Sequence, residues 1–278
     1  MSGFSADWLA LREPADTRAR DRCGSLLAAL ERGTAPGAMH SHAAVDAVPG
    51  AGRETLDLGA GTGANFRYLQ SRLAGARHWT LVDHDAALLR IAASTADAPA
   101  TRVVDLRTGL DSLPLPRRGL VTASALLDLV AADWLERLAT RCRDAGAAIL
   151  FALTYDGRTR CWPSENDDAW LVAQFNRHQR TDKGFGPALG PAAADAAAAS
   201  FASAGYTLRR AASDWRIGPD ETALQGALLE GWAQAAREIA PGAQARIDAW
   251  LQRRRQHLAE GRSRLVVGHE DLAGWLPD

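Results

Sequence analysis

The 278-residue sequence predicts a doubly wound α/β fold, a largely parallel sheet with helices on both faces. Three observations point there. An apolar strand runs into a glycine-rich turn, Leu56-Asp57-Leu58-Gly59-Ala60-Gly61-Thr62-Gly63, that a helix over 64–72 continues. Short apolar runs ending in a carboxylate, at Asp83 and Asp105, then alternate with segments of helical periodicity. Finally, 47% of the residues are hydrophobic, enough for one full core and a lid or insertion besides.

The elements follow in order. Residues 4–33 read as helical: Phe4, Trp8 and Leu11 share a face, and Pro14 can open a second helix that Leu26, Leu27 and Leu30 carry to Gly33. Glycines and prolines make 34–53 a connector with a helical turn or two. Strands are expected near 54–59, 78–83, 101–106, 119–124 and 147–154, with helices between them. A loop through Cys161, Trp162 and Pro163 then leads to a helix near 166–181, a glycine-rich loop at 183–187 and an alanine-rich helix over 191–204. Two further strands, 207–217 and 264–267, are separated by a helical pair over 219–261.

The glycine turn reads as a nucleotide cradle. Glycine admits φ > 0 and close ligand approach, and the next helix points unpaired N–H groups back over the turn. Asp83 matches a ribose diol, two oxygens to two hydroxyls, and Asp105 with Leu106 suits an adenine amino group and ring face. The spacing Gly59-x-Gly61-x-x-Ala64 also satisfies a relaxed dinucleotide fingerprint, which keeps an NAD-dependent oxidoreductase open.

On LDLGAGTG and the strand ends Asp83 and Asp105 in that order, the chain resembles the class I S-adenosylmethionine-dependent methyltransferases over roughly residues 54 to 156. The resemblance implies a Rossmann-like seven-stranded sheet, mostly parallel with one antiparallel strand. It also implies a helical N-terminal lid with its connector over 1–53, and a methyltransferase domain over 54–278. Residues 156–190 and 219–261 become substrate-side insertions, the latter a helical cap. S-adenosylmethionine is the implied cofactor. Asp57, Gly59, Ala60, Gly61 and Gly63 would serve its methionine portion, Asp83 the ribose, and Asp105 with Leu106 the adenine, with His84 and Ser124 as further candidate cofactor contacts. Trp8, Arg12 and Arg18 are the lid's candidate contacts, with packing on the core the favoured alternative for Trp8. The segment 263–271 is the candidate antiparallel strand, and the helical pair before it departs from the family's tight hairpin.

Methyl transfer from a sulfonium is an in-line displacement, so the protein must chiefly align the reactants and exclude water. Candidate catalytic groups lie past the fourth and fifth strands: Asp128, Tyr155 and His178, with His178 the leading general base because imidazole titrates near neutrality. Arg177, Arg180 and Lys183 could hold an anionic or polar handle, or form a solvated face, and Lys183 is the only lysine among 32 basic residues. Trp162 is a candidate substrate contact. Together with Trp170, Trp215 and Trp232 it lines an aromatic pocket or fills the core of the cap.

Several classes are disfavoured. A net charge of -1 gives no electrostatic reason to bind nucleic acid or acidic membranes. The longest apolar run, 147–153, is too short to span a bilayer, and the N-terminus lacks a secretory signal, so a cytoplasmic protein is expected. Cys23, Cys142 and Cys161 read as reduced thiols. No metal site is expected: in Asp83-His84-Asp85 the last residue reads as a helix N-cap, and His40 and His42 as solvent-exposed. Arginines 253–255 read as a solvated helix face. The sequence therefore predicts methyl transfer to an oxygen or nitrogen of a small molecule. A non-catalytic S-adenosylmethionine-binding protein is the second alternative beside the oxidoreductase.

Overall fold

The computed structural model describes residues 4–34, 54–75, 77–94 and 97–277 of the chain, so the expected helical turns of the connector and His40 and His42 lie outside the described residues. Eight strands form one sheet: β1 (Glu54–Leu58), β2 (His78–Asp83), β3 (Ala100–Val103), β4 (Leu120–Ser124), β5 (Ala148–Trp162), β6 (Thr207–Ala212), β7 (Trp215–Ile217) and β8 (Arg264–Trp275). Their order is β3-β2-β1-β4-β5-β8-β6, with β7 also on β8. β1 to β5 pair in parallel, while β8 runs antiparallel to β5, β6 and β7. The fold is the expected doubly wound, Rossmann-like α/β class. The chain reverses its winding between β1 and β4, which places the ligand crevice of such sheets outside their carboxyl ends.

The expected count of seven strands becomes eight because the run 207–217 breaks at Ser213-Asp214. There the Ser213 N–H donates to the His269 carbonyl at 2.9 Å and its hydroxyl donates to Asp271, while Asp214 takes Arg158 at 2.7 Å. These bonds turn the strand out of line. β5 also outruns its expected end. Pairing with β8 continues to Trp162 opposite Arg264, through register shifts after Phe151 and after Tyr155, so the expected loop at Cys161-Trp162 is strand. Beyond the end of β4, β5, β8 and β7 therefore rise above the rim as a small antiparallel extension.

Ten helices cover the sheet and this extension among the described residues. One face packs α5 (Leu106–Gly109), α6 (Ala132–Ala145) and α8 (Ala193–Ser203) on Leu58, Val121, Ile149 and Phe151. The other packs α2 (Gly24–Gly33), α3 (Ala64–Gln70) and α4 (Ala86–Ala92) on Leu81, Leu120 and Leu150. A third apolar cluster caps the extension, where α7 (Asp168–Gln179), α9 (Thr222–Ile239) and α10 (Gln244–Ala259) meet Trp215, Ile217, Leu265 and Val267.

α1 (Ala6–Asp21) does not restart at Pro14 as expected but passes through it, breaking only at Arg22-Cys23. One lost backbone bond is offset by anchors on both sides of the proline: Glu13 accepts from Arg67 at 2.6 Å and Asp16 from the Trp215 indole at 2.9 Å. Arg254, expected on a solvated face, is fully buried. It pairs with Asp168 and donates to the Pro163 carbonyl at 2.6 Å, tying α10 to α7 and to the end of β5. Among the described residues no helix is long and apolar enough to cross a membrane.

Candidate functional site

The glycine turn leaves β1 with Gly59, Gly61 and Gly63 all at positive φ, and α3 starts directly behind it. At Gly61 (φ +53) a Cβ would stand 3.0 Å from the Leu9 side chain, and at Gly63 (φ +82) it would stand 3.0 Å from Ala92. Both backbone angle and space demand glycine there. Asp83 at the tip of β2 closes the turn: it is buried, accepts from the Gly61 N–H at 2.8 Å and the Asp85 N–H at 3.0 Å, and lies 3.1 Å from the exposed His84 ring. Asp85 caps α4, as its place in the sequence suggests. The Val104 N–H donates to the Asp83 carbonyl, which puts the β3 end beside it. Asp105 sits next along that rim, one-third exposed, capping α5 and paired with Arg107, whose bonds hold its carboxyl below the usual range. Leu106 is turned into the core, where its carbonyl accepts from the Trp134 indole at 2.7 Å.

α1 lies across this rim. Its residues Glu13, Asp16, Thr17 and Arg20 follow the i, i+3, i+4, i+7 spacing of one helix face, and with Ala64, Asn65, Tyr68 and Ser124 they line a hollow of about 10 Å³, room for a single water at most. Arg20 is buried, donates to Asn65 Oδ1 at 2.8 Å and stacks on Tyr68. Asn65 in turn donates to Asp57 Oδ1 at 2.6 Å. Arg20 Nε and Asp57 Oδ2, both in this buried chain, have no partner among the described residues. Burial pushes the Asp57 carboxyl up to about 7, against the Asn65 bond and the Arg20 charge that favour its ionised form. Such orphans cost free energy and concentrate at functional sites.

A second polar group of side chains lies past β4 and β5. Asp128 is buried, its Oδ1 has no partner among the described residues, and burial raises its pKa to about 6 even though backbone N–H groups, including that of Tyr155, and the charges of Arg12 and Lys183 favour the carboxylate. Lys183 donates to His178 Nδ1 at 3.3 Å, and the other ring nitrogen of His178 lies 3.0 Å from Glu238. Tyr155 donates from its hydroxyl to Asn176 at 2.8 Å. Its ring packs on Phe175 at 5.5 Å and on His269 at 6.2 Å. The backbone is strained here too: Ala125 (φ 52) follows β4 and Leu153 (φ 54) lies in β5, non-glycine residues in the left-handed region. Bonds from the Ala125 N–H to the Ala152 carbonyl and from the Leu153 N–H to Asp271 hold them.

The structure thus brings Asp57, the glycine turn, Asp83 and Ser124 to one rim, and Asp128, Lys183 and His178 into a second polar group past β4 and β5. Arg177 and Arg180 stay exposed on α7, and Trp162, half-exposed, lines a separate groove of about 530 Å³ between the upper part of β5 and α7. Of the expected lid contacts, Trp8 packs against the cap cluster, Arg12 pairs with Asp16 over the Trp215 ring, and Arg18 pairs with Glu221. Sequence reasoning missed Arg20, Asn65, Asp271 and His269. His269 is buried with Nδ1 unpartnered and its pKa is pushed down to about 3 by burial and by Arg12. For Arg20 a signal existed, the polar stripe at helical spacing on α1, but such a stripe ordinarily faces solvent.

No family model and no curated protein matches the chain. Similar solved structures include a cyclopropane synthase from Mycobacterium tuberculosis, 14% identical over 89% of this chain and 83% of that one, with a TM-score of 0.41. The cyclase SpnF is 17% identical over 94% of this chain and 82% of its own, with a TM-score of 0.43. A phosphoethanolamine N-methyltransferase 2 from Haemonchus contortus, in complex with S-adenosyl-L-methionine, is 14% identical over 91% of this chain and 52% of its own, with a TM-score of 0.42.

Proposed function

We propose that this protein is an S-adenosylmethionine-dependent methyltransferase that methylates a small molecule. The observation that carries this reading is the pairing, at one strand rim, of the glycine turn closed by Asp83 with Asp57 Oδ2 and Arg20 Nε, two buried atoms that have no partner among the described residues. A carboxylate oxygen and a guanidinium N–H without partners match the ammonium and carboxylate of an amino-acid tail, which this cofactor carries and a dinucleotide lacks. The insertion of antiparallel β8 between β5 and β6 supports the same reading, because dinucleotide-binding sheets of this class follow a parallel 3-2-1-4-5-6 order.

In this reading Asp57 and Arg20 hold the tail. The bare glycine turn admits the cofactor to the backbone, and Asp83, whose oxygens retain lone pairs beyond those already engaged, takes the ribose. When bound, S-adenosylmethionine would supply an electrophilic methyl carbon with a thioether as its leaving group. Asp128, carrying a free oxygen and titrating near neutrality, takes any proton the acceptor releases. α1 must swing aside for entry, since the hollow beneath it has no room for an adenosyl group.

Calorimetric titration with S-adenosylhomocysteine and with NAD tests the reading. Binding of S-adenosylhomocysteine at roughly micromolar Kd or tighter is expected. Heat with NAD only, or with neither, overturns it. Asp128→Asn should keep that binding and lose methyl transfer, whereas a protein that only senses the cofactor would show no transfer in either form.

A further inference from the structure

Lys183 is the single lysine of a chain with 32 lysines and arginines, and its ammonium is held in a defined posture. Nζ donates to His178 Nδ1 at 3.3 Å and to the Thr181 hydroxyl at 3.1 Å. An ammonium has no lone pair, so Nδ1 must be the acceptor, and the imidazole proton lies on Nε2, which donates to Glu238 at 3.0 Å. His178, engaged at both nitrogens, is therefore a positioning residue for the lysine. The loop that carries Lys183 is equally fixed. Asp182 accepts from the Gly184 and Gly186 N–H groups at 2.6 and 3.0 Å, Phe185 meets the Trp134 ring edge-on, and the Leu189 N–H donates to the Val130 carbonyl at 2.8 Å. That seats the loop on the segment just after Asp128. The ammonium and the Asp128 carboxylate interact electrostatically, and among the described residues Asp128 Oδ1 has no partner and the third proton of the ammonium is uncommitted.

We propose that Lys183 donates this third N–H to the attacking atom of the methyl acceptor, and that this atom is an oxygen, of an acidic hydroxyl or a carboxylic acid, and not an amine nitrogen. The assignment rests on the methyl-transfer reading above. Oxygen keeps one lone pair to accept from the ammonium while another forms the new bond to carbon. An amine nitrogen has a single lone pair, and an N–H donated to it blocks the attack. With a hydroxyl acceptor, the oxygen bonds to the methyl carbon, its O–H bond breaks and the proton passes to Asp128. The pair from the broken carbon–sulfur bond stays on the thioether product. With a carboxylate acceptor no proton moves. The developing or resident negative charge on oxygen in both cases sits beside a fixed cation, which an exposed arginine fork could not place as a point charge.

The single lysine makes the test clean, because carbon-13 labelling at lysine Cε gives one side-chain resonance. The groups that can move its titration are His178 on α7, Glu238 on α9, Asp128 after β4 and Asp182 in its own loop. Calorimetry on the same sample first establishes that S-adenosylhomocysteine binds, and its failure to bind removes the methyl-transfer reading and this assignment with it. With it bound, p-nitrophenol or benzoate should raise the Lys183 midpoint by about one pH unit, as an opposite charge at close range does, while aniline leaves it in place. Asp128→Asn should lower the midpoint. Lys183→Met should bind S-adenosylhomocysteine like the wild type and bind p-nitrophenol about tenfold more weakly or worse. The assignment falls, with the cofactor reading intact, if aniline moves the resonance as much as the acids do, or if neither acid moves it.

Discussion

Replacing Asp57 with asparagine should stabilise the fold while impairing the site. The carboxyl is fully buried, and burial moves its pKa from 3.8 to about 7. At about 1.4 kcal/mol per pH unit, ionising it costs the native state on the order of 4 kcal/mol. The sign follows from proton counting. Between the two pKa values the native state keeps a proton that the unfolded chain has released, so stability falls as pH rises through that window and the full penalty applies above about pH 7. Asparagine removes the charge and still accepts from Asn65 through Oδ1. Its amide stands where Oδ2 has no partner, which returns about 1–3 kcal/mol of the gain. Arg20 is not stranded, since the carboxylates of Asp271 and Asp16 remain in its surroundings. Urea unfolding followed by tryptophan fluorescence should therefore show Asp57→Asn level with or below the wild type at about pH 4, and more stable by roughly 1–3 kcal/mol at about pH 8. The same variant should bind S-adenosylhomocysteine more weakly. A stability difference independent of pH, or a variant less stable at the higher pH, would refute the reasoning about the buried charge.

Three other substitutions probe separate parts of the structure. Asp83→Ala leaves the Gly61 and Asp85 N–H groups without their acceptor and should weaken S-adenosylhomocysteine binding by about 1–3 kcal/mol in calorimetry; unchanged affinity would sink the ribose assignment. Arg254→Met keeps the buried stem but leaves Asp168 without its partner, so the urea midpoint should report a loss of about 3–5 kcal/mol, and a loss below about 1 kcal/mol would show that the pair does not tie α10 to α7. His178→Ala should slow transfer without moving the acidic limb of the pH–rate profile, because Asp128, raised to about 6 by burial, must be ionised for that limb to rise. Disappearance of the limb in this variant would make His178 the base.

What could be read from the residues depended on how local each cause is. The glycines at 59, 61 and 63, the carboxylates that end β2 and β3, and the Asp85 cap are set by a few neighbours along the chain, so their spacing announces them. The course of β5 past Tyr155 is different. Cys161-Trp162, two residues ahead of a proline, are too short a run to announce a strand, and pairing with β8, about a hundred residues later, makes them one. The break between β6 and β7 likewise answers to Asp271 and His269 across the sheet.

The sequence by itself determined the fold class and the glycine turn with its strand-end carboxylates, because hydrophobic period and turn chemistry act over a handful of residues. The tertiary structure alone decided that the polar stripe Glu13, Asp16, Thr17 and Arg20 faces inward, that Arg254 is buried, and that His178 is engaged by Glu238 and Lys183. Helical spacing says which side chains share a face. Which way that face points depends on partners supplied by Asn65, Asp168 and Glu238, far away in the chain, and burying a charge is tolerable only once those partners are in place.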